Sequence, residues 1–181
     1  AIALMLSPVA HAEKYASIVV DADTNEVLHA RFADEPRYPA SLTKAMTLYM
    51  VFDALKSGEL TLSEDMPVSR AAASQPPSNL RLTPGSTISV RDAIRALVTK
   101  SANDVAVVIA ERLGVTESRF ATLMTAKAHA LGMSRTTFRN ASGLPDARQV
   151  STARDMAILA ERLLEDHAGY YHYFSTDSFQ W

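Results

Sequence analysis

Ser41 opens a run, Ser-Leu-Thr-Lys-Ala-Met-Thr-Leu-Tyr-Met-Val-Phe-Asp-Ala-Leu-Lys, that reads as a helix closed by Gly58 in the position typical of helix C-termini. After its first turn, Met, Leu, Tyr, Val and Phe occupy nearly every azimuth. Such a helix has no polar face to give to water, so it is expected to be buried on most sides, with its first turn held rigidly. With 48% hydrophobic residues, the 181-residue chain has enough apolar material for one domain-sized core without a metal or disulfides to hold it.

The chain has no cysteine, which removes disulfide scaffolds, thiolate zinc sites and cysteine nucleophiles together. A net charge of -2 gives no general pull towards a polyanion or an anionic membrane. Serine, lysine and carboxylate chemistry remain open.

The other segments supply the cover. Tyr15 to Asp21 and Glu26 to Phe32 are β-prone runs joined by Ala-Asp-Thr-Asn, a hairpin pattern. Residues 61–88, rich in Pro, Ser and Thr, read as irregular chain. Ser89 with Asp92 suits a capping box for a helix through Ile94, Leu97 and Val98; a second helix runs from about Asn103 to Leu113, stopped by Gly114. Phe120, Leu123, Met124, Ala128 and Leu131 follow helical spacing up to Gly132. After the turn-rich Asn140-Ala-Ser-Gly-Leu-Pro, Ser151 or Thr152 caps a last helix through Met156, Leu159, Leu163 and Leu164. The stretch from Phe174 to Trp181 alternates aromatic and polar residues and begins like a strand.

Ser41-x-x-Lys44 sets a hydroxyl and an amine on one helix face, about 5–6 Å apart between Cβ atoms. A serine hydroxyl needs a neighbour to take its proton, and a lysine can do so only when burial or nearby cations lower its pKa. The helix start adds N–H groups that favour a developing oxyanion. The plainer reading makes Ser41 a helix cap and Lys44 a solvated lysine, and composition alone yields roughly half of one such motif by chance. A second feature, Lys100-Ser101-Ala-Asn103-Asp104, falls in the short break between two helices, where its serine can relay a proton and its asparagine can bind a peptide group. Its plainer reading is also helix capping.

The two motifs in this order, sixty residues apart, resemble the penicillin-binding protein and serine β-lactamase superfamily. Ser-Leu-Thr-Lys-Ala-Met-Thr, Ser-Ala-Asn-Asp, Ala130-Leu-Gly-Met133, Thr137-Phe-Arg-Asn140 and Ser142-Gly-Leu144 look like the low-molecular-weight D-alanyl-D-alanine carboxypeptidases within it, over essentially all of residues 13–181. The resemblance implies an α+β, β-lactamase/DD-peptidase-like fold: an antiparallel sheet flanked by helices, plus a mostly helical subdomain.

It also implies a reaction. Ser41 would attack the bond between the two terminal D-alanines of a peptidoglycan stem peptide, Lys44 would take its proton, Ser101 would pass a proton to the departing D-alanine, and Asn103 would bind the substrate peptide. No metal or organic cofactor enters that chemistry. β-Lactam antibiotics would trap Ser41 covalently, no nucleic acid is a partner, and the protein would be exported to the bacterial periplasm or cell envelope, with membrane association open.

The family's third motif, Lys-Thr-Gly or Lys-Ser-Gly on a strand, departs from this pattern. The only match is Lys56-Ser57-Gly58, at the far end of the helix that starts with Ser41, and fifteen residues of helix set it about 22 Å away. Lys56 reads instead as a cation at a helix C-terminus. Residues 1–12, a short apolar run ending Ala10-His11-Ala12, read as the remnant of a signal peptide cleaved before Glu13. Residues 13–181 are therefore expected to be the N-terminal part of the catalytic domain, truncated before the third motif, with the C-terminal strands missing and little activity of their own.

A class A-like β-lactamase would need a glutamate-activated water, yet no glutamate lies between Glu117 and Glu161. A catalytically silent homologue that binds peptidoglycan or a partner is the non-enzymatic alternative. The histidines at 11, 29, 129, 167 and 172 show no metal spacing.

Overall fold

The computed structural model describes residues 15–181; the expected signal-peptide remnant lies outside them. The fold is α+β. Strands β1 (Ser17–Val20) and β2 (Val27–Arg31) form the expected antiparallel hairpin, with Ser17 opposite Arg31 and Val19 opposite His29. Its turn is built by Asp21, whose carboxylate accepts hydrogen bonds from the backbone of Asp23 and Thr24 and from the Thr24 hydroxyl.

Helix α1 (Thr43–Ser57) runs through the core and packs against four others: α3 (Val90–Lys100), α4 (Asn103–Gly114), α5 (Glu117–Ala130) and α6 (Ala153–Asp166). Met46, Leu48, Tyr49, Val51, Phe52 and Ala54 are all buried, as the lack of a polar face requires. Gly58 ends it in the left-handed conformation, its N–H donating to the Leu55 carbonyl. Ser89 caps α3 and Thr152 caps α6 through their hydroxyls.

Three expectations are corrected. Residues 61–88 hold a second antiparallel pair, β3 (Asp65–Pro67) with β4 (Thr87–Ser89), and a short helix α2 (Arg70–Ala73). Three-residue strands show too few alternations to register as a period, although Met66 and Ile88 are buried between more exposed neighbours. Gly114 is the last residue of α4 rather than its stop. Its missing side chain is needed because a Cβ there would sit 2.6 Å from that of Phe120, while Val115 takes the left-handed φ of +67°.

The third correction concerns the end of the chain. Residues 168–175 form 3₁₀ turns and 176–181 have no regular structure, so no strand begins at Phe174. Tyr170, Tyr173 and Phe174 fall at helical spacing and gather round Phe52, with Tyr170 stacked on it at 5.1 Å. Packing against α1 thus overrides the local alternation.

Candidate active site

Ser41 does not cap an α-helix. It lies in a 3₁₀ turn, Ala40–Leu42, that leads into α1, and no side chain caps either element. A 3₁₀ turn brings residues i and i+3 towards eclipse, which keeps Ser41 and Lys44 on one side. Ser41 is exposed and Lys44 is buried. This is the reverse of a solvated first-turn lysine.

The Lys44 ammonium donates to the backbone carbonyl of Ser142 at 2.6 Å, across 98 residues of sequence. One position along, the Thr47 hydroxyl donates to the Ala141 carbonyl at 2.8 Å. Burial lowers the pKa of Lys44 to about 8, which brings its neutral form within reach of physiological pH. Gly143 completes the contact with a φ of +87°, and a Cβ built on it would land on the Ala40 carbonyl, so only glycine lets this loop approach the Ser41 turn. Ala40 itself takes a φ of +46°.

The loop is braced from inside by Asn140, whose side-chain oxygen accepts from Gly143 N–H at 2.7 Å, and by buried Gln149, which accepts from Arg139 and Asn140 N–H. Turn chemistry accounts for Asn140.

The second motif sits where α3 gives way to α4. Ser101 ends α3 in the left-handed region, φ +52°, and Asn103 is the first residue of α4. The Asn103 amide donates to the Pro76 carbonyl at 2.9 Å, and its backbone N–H donates to the Ser78 carbonyl at 2.7 Å. This leaves the Asn103 side-chain oxygen as an acceptor for a ligand. Asp104 is fully buried; its carboxylate accepts from the N–H groups of Leu80 and Leu82 and of its neighbour Val105.

Among the described residues, the hydroxyls of Ser41 and Ser101 engage no other group, so both are available to a substrate. The Ser41–Lys44 pair is joined to the 140–143 loop, and the Ser101–Asn103 pair to the 76–82 loop. No hydrogen bond links the two pairs directly; their relation comes from the packing of α1 on α3 and α4.

A cavity of about 360 Å³ lies between Tyr38, Pro39 and Ala40 on one side and Gly143, Leu144 and Pro145 on the other, and none of the four candidate residues lines it. A larger, apolar one of about 840 Å³ lies between β1 and α6 and is lined by none of the four candidate residues. Lys56 lies at the opposite end of α1, where it donates to the Asp166 carbonyl at 3.4 Å, so Lys56-Ser57-Gly58 is no part of this site. Among the described residues no group of three His, Asp or Glu side chains is arranged to hold a metal ion.

Thr47, Ser142 and Gly143 do not stand out in the sequence by reactivity. Two of the three act through backbone atoms, and only the left-handed need for glycine in Ser-Gly-Leu offers a signal.

The chain matches the family model described as D-alanyl-D-alanine carboxypeptidase, peptidase S11, over residues 5–181. It is 36% identical over 159 residues to D-alanyl-D-alanine carboxypeptidase DacF of Bacillus subtilis, covering 88% of this chain and 41% of that protein. To D-alanyl-D-alanine carboxypeptidase DacC of Escherichia coli it is 37% identical over 155 residues, covering 82% and 39%. The crystal structure of penicillin binding protein 5 from Haemophilus influenzae superposes with a TM-score of 0.88 at 31% identity, covering 92% of this chain and 49% of that one. That of the D-alanyl-D-alanine carboxypeptidase DacD from Francisella tularensis gives 0.86 at 36%, covering 88% and 38%. The chain therefore spans well under half the length of these curated relatives. Match, fold and the order of its two serine motifs agree: the chain belongs to the D-alanyl-D-alanine carboxypeptidase family.

Proposed function

We propose that the protein carrying this chain is a serine D-Ala-D-Ala carboxypeptidase that trims peptidoglycan stem peptides. The observation that carries this reading is Lys44, buried beside an exposed Ser41, hydrogen-bonded to the Ser142 carbonyl and lowered by burial to about 8. Neutral Lys44 takes the Ser41 proton as Ser41 Oγ bonds to the carbonyl carbon of the penultimate D-alanine. Ser101 then relays a proton to the nitrogen of the terminal D-alanine as the peptide C–N bond breaks. The Asn103 side-chain oxygen accepts from the substrate backbone. Water, deprotonated in turn, releases the acyl group and restores Ser41.

A β-lactam carries an amide in a strained ring that stays attached after opening, so penicillins are expected to remain on Ser41. The family's curated members and penicillin-binding structural relatives support this substrate and inhibitor class. They also support an exported enzyme of the bacterial envelope. Residues 13–181 are read as part of a catalytic domain, since the chain spans 41% of DacF and 39% of DacC.

The test is release of D-alanine from a peptide ending in D-Ala-D-Ala by the full-length gene product. Release that disappears in Ser41→Ala is expected. Rapid turnover of penicillin without D-alanine release would favour a β-lactamase, and neither activity, with peptidoglycan binding retained, would favour a silent homologue.

A further inference from the structure

Outside the four candidate residues, one carboxylate holds the segment on which both Ser41 and Lys44 depend. Glu117, in the first turn of α5, accepts a hydrogen bond from the Ala141 N–H at 3.0 Å. The next three backbone groups serve the site: the Ala141 carbonyl takes the Thr47 hydroxyl, the Ser142 carbonyl takes the Lys44 ammonium, and Gly143 lies against the Ala40 carbonyl and Ser41 nitrogen. Asn140 and Gln149 brace the loop only within itself. Glu117 fastens it to a helix.

An acidic residue in a first helical turn ordinarily faces solvent and the helix's own N–H groups. Glu117 instead lies half-buried and reaches a loop 24 residues away, in surroundings that raise its pKa through burial. We propose that Glu117 is a positioning residue for the acylation step, fixing the Ala141–Ser142 peptide so that the Ser142 carbonyl holds Lys44 in register with Ser41. The inference rests on the proposed roles of Ser41 and Lys44. Glu117 touches neither residue; it acts through one backbone segment.

The test follows labelling of the full-length gene product by a fluorescent penicillin as a function of pH. Glu117→Ala is expected to slow labelling by about tenfold or more, the scale of a small misplacement in a reacting pair. It is also expected to move the midpoint of the pH profile upward by about one unit as water reaches Lys44. Glu117→Asp keeps a charge at the helix start but falls one methylene short of Ala141, so it is expected to lose rate and shift the midpoint in the same way, even should the alanine variant not fold. Glu117→Gln keeps an acceptor oxygen at the same reach and is expected to stay within about threefold of the parent, with its midpoint.

An Asp variant with the parent's rate and midpoint would overturn the proposal, as would a Gln variant as impaired as Asp. Should the parent protein not be labelled at Ser41, or Lys44→Ala label as fast as the parent, the reading beneath the proposal fails instead.

Discussion

The two halves of the site fasten their loops with different groups. On the Ser41 side, α1 only donates: Lys44 and Thr47 donate hydrogen bonds to carbonyls of the 140–143 loop. On the Asn103 side, α4 does both: Asn103 donates to the Pro76 and Ser78 carbonyls, and Asp104 accepts from the N–H groups of Leu80 and Leu82. Each half also holds a non-glycine residue at positive φ, Ala40 before Ser41 and Ser101 itself, at a cost of roughly 1–2 kcal/mol apiece. The clamps offset that strain. The difference is that Lys44 fastens a loop and, in the proposed reaction, also moves a proton, whereas Asp104 only fastens. Damage at Lys44 should therefore appear as lost chemistry, and damage at Asp104 as lost stability and weaker binding.

The largest effect should come from the first half. Lys44→Ala is expected to slow acylation by about 10²–10⁴-fold, the usual contribution of a positioned base, measured by the rate of penicillin labelling. In the parent, labelling should rise with pH through a midpoint near 8. Lys44 must be neutral to take the proton, and burial lowers the pH at which it becomes so. A flat profile between pH 6 and 9 would separate Lys44 from the proton transfer and break the contrast.

On the second half, Asp104→Ala leaves the N–H groups of Leu80, Leu82 and Val105 without their acceptor. It is expected to cost about 3 kcal/mol in urea unfolding, each buried orphan being worth about 1–3 kcal/mol. Asp104→Asn, which keeps one acceptor oxygen, should lose about half as much. Should Asp104→Asn fold well yet lose acylation as completely as Lys44→Ala, the division of labour would be wrong.

The smallest prediction lies outside both halves. Val115 is 72% exposed at φ +67°, a conformation that a β-branched residue resists, with no clamp to hold it. Val115→Gly is expected to stabilise the fold by about 1 kcal/mol without altering labelling, which would show that strain at the serines differs from strain elsewhere.

Much of this was legible in the sequence for physical reasons. A nearly all-round apolar surface left α1 nowhere but the core, and Ser89, Thr152 and Gly58 marked the ends of three helices. The second strand pair escaped because its strands are three residues long. The tail escaped because Tyr170, Tyr173 and Phe174 turn onto Phe52 of α1, a contact that local alternation does not show. Ser41, Lys44, Ser101 and Asn103 were readable as motifs, since their chemistry resides in side chains. Ser142-Gly-Leu144 was readable as a motif, but the role of its first carbonyl, like that of Ala141, was not, because any residue could supply a carbonyl. Glu117 marked only the start of a glutamate-free span until the fold brought it to Ala141.

The central claim is that Ser41 is the nucleophile and that its neighbour on α1 activates it. The most direct test is to treat the full-length gene product with a penicillin at pH 8, digest it and map the adduct by mass spectrometry. The account predicts about one intact penicilloyl group per protein on the peptide containing Ser41, and none on the Ser41→Ala variant. No adduct, or an adduct on another residue that survives Ser41→Ala, would contradict it.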